Sequence, residues 1–324
     1  MAWYNSSWSR RKAITLTGGS SGAQTDYQLK LTVAWDSDMK SDFSDLRFTK
    51  ADGTTLLDAW MESHTASTSA VVWVETDTPA NTVEADIYMY YGNSGASSDW
   101  DGDATFKFFD DFEGDLSKWT NESGGALAIV TDPVKIGSHA VKQYSTSTQE
   151  SYASFTNQTS DFVMEFYARV HNSGARYRYI MIEKVGGSEN DSVKLQWFQD
   201  TKLRYQSDSG DVEIMNVSMD TWYRFKIAVH PSTDTFDMWV DGVSKVTGGD
   251  VSGSITSGCS AISMYGYVTS ADYPQYIDSV LMYKYVANPA TYAFGSEEGA
   301  PTGRFMWKVN GGTMRGLVNG GLAR

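Results

Sequence analysis

Apolar residues recur at every second position from one end of the chain to the other, and no stretch carries the 3.6-residue period of a long amphipathic helix. That pattern builds half-buried β-strands. The clearest case is Phe162/Met164/Phe166/Ala168/Val170, with Glu165 and Arg169 on the other face. Tyr223/Phe225/Ile227/Val229 repeats it with Arg224 and Lys226 outward. Phe236/Met238/Val240 then runs into Asp241-Gly242, a type I′ hairpin dipeptide, ahead of Val243 and Val246. In the first third Ile14/Leu16, Leu29/Leu31/Val33 and Ile87/Met89/Tyr91 alternate, whereas Ala70-Val71-Val72-Trp73-Val74 reads as a strand buried on both faces. A parallel α/β sheet would need helices that the sequence lacks. The expected fold class is all-β: two β-sandwich (jelly-roll) domains in tandem with a C-terminal extended arm.

A length of 324 residues is about twice that of an ordinary domain. The segment from Gly92 to Asp103 is small, polar and without periodicity, which places a boundary near 104. The expected domains are 1–104 and 105–298, with the arm at 299–324. In that arm Val309-Asn310-Gly311-Gly312-Thr313-Met314-Arg315 recurs nine residues later as Val318-Asn319-Gly320-Gly321-Leu322-Ala323-Arg324. One reading is a frayed terminus. The other is an arm whose Phe305, Met306, Trp307, Met314, Leu317 and Leu322 pair with the sheet edge of another copy, which makes a homo-oligomer.

Charge narrows the partners. Forty Asp and Glu against 26 Lys and Arg give a net charge of −14, a field that repels nucleic-acid phosphates and anionic lipid. No apolar stretch is long enough for a membrane span, so neither nucleic acid nor membrane insertion is expected. Cys259 is the only cysteine, so no intrachain disulfide forms. The first residues lack the basic-then-apolar order of a secretory signal, which is the expectation for a chain made without such export, or for a mature or viral chain.

Two resemblances add to this reading. Trp8-Ser9-Arg10-Arg11-Lys12, Thr25-Asp26-Tyr27, the run from Asp45 to Thr54, Trp60-Met61-Glu62 and the run from Ile87 to Asn93 resemble domain-of-unknown-function family 2341. The family is a β-sandwich module of extracellular, archaeal and viral proteins; it implies a fold and almost no chemistry. The run Phe109 to Gly114 with Leu116 and Trp119, then Gly137 to Val141, Trp222 to Ile227, Trp239 to Gly242 and Tyr276 to Val280 are similar to a concanavalin A-like lectin/glucanase (LamG-like) jelly roll. That fold hosts lectins, glucanases and inert adhesion domains.

Candidate chemistry is sparse. A retaining glucanase needs two carboxylates about 5 Å apart, on alternate positions of one strand in this fold. Neither Asp161 with Glu165 nor Asp234 with Asp237 has that spacing, and Glu75 with Asp77 sits at a strand end beside Pro79. His64, His139, His171 and His230 show no ligand spacing. No catalytic residue is therefore assigned, and the expectation is a protein that is not an enzyme.

Calcium enters through the second resemblance, because modules of that kind hold a structural Ca²⁺ between the first and last strands. It implies Asp110, Asp111, Glu113 and Asp278 as ligands; the alternative is that the acids cap turns. For glycan binding the candidates are Tyr177, Tyr179, Trp197, Tyr205, Tyr265, Tyr267 and Tyr273, since pyranose faces need flat rings. The alternative is that these rings cover the core. The expected function is a non-enzymatic virion surface protein of the tail-fibre, decoration or receptor-binding type. It would bind cell-surface glycans and assemble through its arm with copies of itself and with other virion proteins. The alternatives are a polysaccharide hydrolase or lyase, and an extracellular adhesin.

Overall fold

The structure is a computed structural model. It describes the chain apart from residues 1, 123–125, 145–148, 172–176, 185–190, 198–200, 268–273, 302–305, 310–311 and 316–324, and apart from the side chains of 122, 126, 149, 177, 267, 306–309 and 312–315. The all-β expectation holds: strands dominate, beside one short helix, Gly102–Thr105, and a 3₁₀ turn at Pro231–Thr233.

The strands run in chain order. First come β1 (Arg10–Thr17), β2 (Gln24–Ala34), β3 (Arg47–Thr49), β4 (Ala59–Thr65), β5 (Ser69–Thr78) and β6 (Glu84–Tyr91). Next are β7 (Phe108–Asp110), β8 (Trp119–Glu122), β9 (Ala126–Val130), β10 (Ala140–Tyr144), β11 (Gln149–Gln158), β12 (Phe162–Val170), β13 (Tyr177–Glu183) and β14 (Ser192–Trp197). Then β15 (Lys202–Ser207), β16 (Gly210–Asn216), β17 (Tyr223–His230), β18 (Thr235–Val240), β19 (Val243–Asp250), β20 (Cys259–Tyr267) and β21 (Gln275–Lys284) follow. The last are β22 (Thr291–Gly299), β23 (Met306–Val309) and β24 (Gly312–Arg315).

Backbone contacts divide the chain into two units, Met1–Trp100 with Asn288–Arg324, and Asp101–Ala287. The first unit packs a sheet of order β22-β1-β6-β3 on a three-stranded sheet β2-β5-β4. Ile14, Leu16, Phe48 and Met89 from one sheet meet Leu31, Val33, Val72 and Val74 from the other in one core. On the outer face of the first sheet, Trp3, Tyr4 and Trp8 cover Tyr88 and Tyr90, and the Arg11 guanidinium lies 4.4 Å from the Tyr88 ring centroid.

The domain expectation needs correcting at its C-terminal end. Residues 288–298, assigned by sequence to the second domain, return to the first unit, where β22 pairs antiparallel with β1 from Arg10↔Gly299 to Thr17↔Thr291. Local pattern says which face of a strand is apolar and nothing about which sheet it joins, so that return is invisible in the sequence.

The second unit packs a sheet of order β19-β18-β17-β12-β21-β10-β9, with β7 added on β21, against one of order β16-β15-β14-β13-β20-β11-β8. Phe162, Met164, Phe166, Phe225, Ile227, Phe236 and Met238 of the first meet Ile180, Ile182, Leu195, Ile262 and Met264 of the second. Asp241 and Gly242 both take positive φ, 49° and 78°, the type I′ geometry that the Asp-Gly pair was read for. The first strand of the unit does lie beside the last, with Phe109 opposite Leu281.

In the C-terminal segment β23 and β24 pair with each other, Met306 opposite Arg315 and Trp307 opposite Met314. Of the residues expected to mediate assembly, Phe305, Leu317 and Leu322 lie outside the described residues.

Candidate functional site

Strand alternation gives the seven-stranded sheet of the second unit two unlike faces. Ile180 and Ile182 on β13, Val193 and Leu195 on β14 and Met264 on β20 point into the core. The intervening residues form an outward row, Glu150, Tyr265, Tyr179, Gln196, Arg204 and Glu213 in cross-strand register, and a second row, Tyr152, Ser263, Met181, Lys194 and Gln206.

Tyr179 and Tyr265 stand at the centre with ring centroids 5.3 Å apart. Lys194 Nζ lies 4.4 Å from the Tyr179 ring centroid, within cation–π range. Gln196 Nε2 donates to Asp211 Oδ1 at 2.9 Å, and Lys202 pairs with Glu213 at 2.6 Å. Both tyrosines are half-buried, whereas Lys194, Gln196 and Ser263 are buried, and Ser263 Oγ has no hydrogen-bond partner among the described residues. Ringed and polar groups thus share one face, the combination that a pyranose needs.

Other predicted ring residues divide. Tyr177 and Tyr267 lie opposite each other on β13 and β20, the next step along the same strands. Tyr273 is outside the described residues. Trp197 and Tyr205 are corrections. Trp197 is 3% exposed in the core with its ring 5.5 Å from Phe225, and Tyr205 packs against the same core, edge-on to Phe236. Both share strand parity with Leu195 and Leu203, so the sandwich uses them as core. Trp197→Ala is accordingly expected to lower stability by about 3–5 kcal/mol, read by thermal denaturation, with the outer face intact in whatever fraction stays folded.

The acidic cluster lies on the other sheet. Asp278 sits on β21 opposite Tyr167, and Ser279 beside it has a positive φ of 51° where the ladder to β12 slips by a residue. The bulge leaves Asp278 completely buried. Its Oδ2 accepts from the Lys135 and Ile136 amides at 2.8 and 3.0 Å, while Oδ1 has no partner among the described residues. Burial, assisted by the nearby Glu113 charge, pushes its carboxyl up to about 7.

Glu113 accepts from the Ser138 amide and from the amide and Nδ1 of His139 at 2.7, 3.0 and 3.2 Å, and those bonds hold its carboxyl below the usual range against burial. Asp110 accepts from the Phe112 amide and from Trp119 Nε1, one bond on each oxygen, and Asp111 accepts from the Glu113 amide. Burial raises both of these aspartates. No three of the four implied ligands bring carboxylate oxygens within 4.8 Å of one another; among the described residues only Asp36, Asp38 and Glu297 of the first unit do. That trio is already held by Arg10, which pairs with Asp38 at 2.7 Å and Glu297 at 3.0 Å, and by Lys12, 3.2 Å from Asp36.

The remaining chemistry-bearing groups have structural work. Glu165 pairs with Arg224 and accepts from Tyr283 Oη, and Asp161 Oδ2 accepts from His230 Nδ1 at 2.7 Å. Cys259 is buried, and burial pushes its thiol up to about 12, away from thiolate chemistry. A recess of about 380 Å³ lies elsewhere in the unit, lined by Phe106, Phe109, Lys118 and Phe155, and holds none of the expected site residues.

Comparison with known proteins places part of the chain. The family model Domain of unknown function (DUF2341) matches residues 42–122. The match starts after the Trp8 and Thr25 motifs that suggested the family and runs on into the second unit. No curated protein matches the chain in sequence.

Among solved structures, a sialidase is similar at 12% identity and a TM-score of 0.41, covering 61% of this chain and 20% of its own, so the chain spans about a fifth of that protein. The cellulose-induced protein Cip1 is similar at 15% identity and TM-score 0.40, covering 54% of this chain and 96% of its own. An endo-β-1,4-glucuronan lyase from the fungus Trichoderma reesei has 15% identity and TM-score 0.39, covering 57% and 98%.

Proposed function

We propose that the chain is a non-enzymatic glycan-binding protein whose binding surface is the outer face of the seven-stranded sheet. The observation that carries this reading is the Tyr179–Tyr265 pair flanked in register by Gln196 and Arg204, with Lys194 of the neighbouring row near the Tyr179 ring. Rings supply apolar platforms for sugar faces, and the amide and cations supply directed bonds to hydroxyl and acidic substituents. Tyr179→Ala and Tyr265→Ala are each expected to weaken binding to a positive glycan on an array at least about tenfold, roughly 1.4 kcal/mol, while lowering the melting temperature by the several degrees that truncating a half-buried ring costs, so binding is compared well below the transition. Equal binding by both variants would remove this face from the function. Release of reducing or unsaturated ends from a bound polysaccharide would instead make the chain a hydrolase or lyase.

The finer reading is a virion surface component that assembles as a homo-oligomer through its C-terminal segment. Its support is the apolar nine-residue repeat and the β23–β24 pair, because a lone two-stranded ribbon is marginal in water and gains stability on another sheet. A native mass unchanged by ending the chain at Pro301 would overturn the assembly role.

The calcium reading narrows to two of its four side chains. Asp278 offers a buried oxygen without a partner among the described residues, and Glu113, whose own oxygens already accept from Ser138 and His139, is kept only as the charge that acts on Asp278. Asp110 spends both oxygens on Phe112 and Trp119, and we assign it to the fold instead. When bound, calcium would brace β21 against the segment around Lys135 and Ile136.

A further inference from the structure

Arg178 is a charged side chain that points into the apolar interior of a sandwich. It lies on β13 between Trp197 on β14 and Gly266 on β20, with the inward parity of Ile180 and Ile182, and is 2% exposed. Gly266 opposite it leaves room for the guanidinium as placed: a Cβ there would stand 2.2 Å from Arg178 Nη1. Among the described residues, its Nε and Nη2 have no hydrogen-bond partner. Burial pushes the guanidinium down to about 10.

The same end of the sandwich holds a second imbalance. Gln275 Nε2 donates to Gln143 Oε1, to the Tyr265 carbonyl at 3.1 Å and to the Tyr179 carbonyl at 3.4 Å, which fixes the amide orientation. Gln143 Nε2 in turn donates to the Met264 carbonyl at 2.7 Å, and Gln275 Oε1 is left buried without a donor. The carbonyls that Gln275 reaches belong to the residues adjoining Arg178 and Gly266, so the unpaired donors and the unpaired acceptor lie around one pair of strands.

An uncompensated charge in a protein interior costs several kcal/mol, and arginine does not relieve it by losing its proton at neutral pH. Water satisfies the glutamine oxygen but leaves the charge. We propose that Arg178 is the anchor of a compact monoanion site at this end of the second unit, taking a halide or a carboxylate on Nε and Nη2. That pair of donors is the edge by which a guanidinium grips an anion.

The test uses the full chain and Arg178→Met, which keeps the stem and removes the charge. Melting temperature is followed while sodium chloride replaces sodium sulfate at constant ionic strength, and again with sodium glucuronate. The wild type is expected to gain about 3–6 °C at an anion concentration ten times Kd, and Arg178→Met to gain nothing while melting above the wild type in sulfate. A response to chloride assigns the site to a solvent anion, and a response to glucuronate without chloride assigns it to a carboxylate-bearing sugar. Identical responses of the two proteins overturn the proposal, leaving a water-filled polar pocket. Should Arg178→Met fail to fold, ³⁵Cl line broadening by the wild type decides: broadening that bromide reverses supports a halide, and its absence together with no glucuronate response overturns the site.

Discussion

A chain ending at Ala290 is expected to lose the folded first unit, whereas one ending at Pro301 keeps it. The difference is β22. Phe294 and Tyr292 stand opposite Ile14 and Leu16, which are fully buried, and both aromatic rings pack on the core of that unit. Tyr292 Oη also accepts from the Thr32 amide on β2 at 3.0 Å, so one side chain of β22 ties the two sheets together. Further along, Glu298 pairs with the buried Arg11 at 2.7 Å, and Glu297 accepts from Tyr91 Oη at 2.7 Å. Removing two half-buried aromatics, their ladder bonds and the partner of a buried guanidinium costs about 4–7 kcal/mol, comparable with the whole stability of a small domain. Calorimetry of the shorter chain should show the transition of the second unit alone. Two undiminished transitions would mean that β22 is an ornament on a module complete without it. Phe294→Ala grades the effect at about 2 kcal/mol, since the ring is half-buried.

The same strand shows where sequence reading stops. Inward and outward faces were legible because alternation reports them directly: Phe225, Ile227 and Val229 are buried, and on β5 Ala70, Val72 and Val74 are buried on one face, while the other buries Trp73 and leaves Val71 partly exposed. Partner choice was not legible, since the eight-residue β1 takes β6 on one edge and a strand over 270 residues away on the other. At the candidate site, Tyr179 and Tyr265 were named by residue type, and the same criterion wrongly drew in Trp197. Parity would have separated them, because Leu195 and Trp197 must share a face once Leu195 is core. Lys194, Gln196 and Arg204 were missed because polar residues alternating on a strand read as an ordinary solvated face. Parity likewise places Arg178 inward with Ile180, which residue type alone does not show for a charged side chain.

Calcium is expected to raise the melting temperature of the second unit near pH 7.5, and Asp278→Asn to abolish the response. Without the ion, a buried carboxyl pushed up to about 7 destabilises the fold in a defined pH window. The folded state binds the proton more tightly than the unfolded chain, whose carboxyl titrates near 3.9, so between about pH 4 and 7 the native state carries more protons and stability falls as pH rises. The penalty is absent below about pH 4, grows to at most about 4 kcal/mol by pH 7 and is constant above. Asp278→Asn keeps the shape and cannot ionise, so its melting temperature in chelator should vary less across that window and exceed the wild type at pH 7.5. Added calcium reverses the order, because a divalent ion on Oδ1 turns the uncompensated charge into a ligand. Glu113→Gln should weaken the response and Asp110→Asn should leave calcium affinity unchanged, since Asp110 accepts from Trp119 and Phe112. A wild type whose melting temperature is the same in calcium and in chelator would leave Asp278 as a carboxyl kept neutral by burial, with its hydrogen bonds to Lys135 and Ile136 as its whole role.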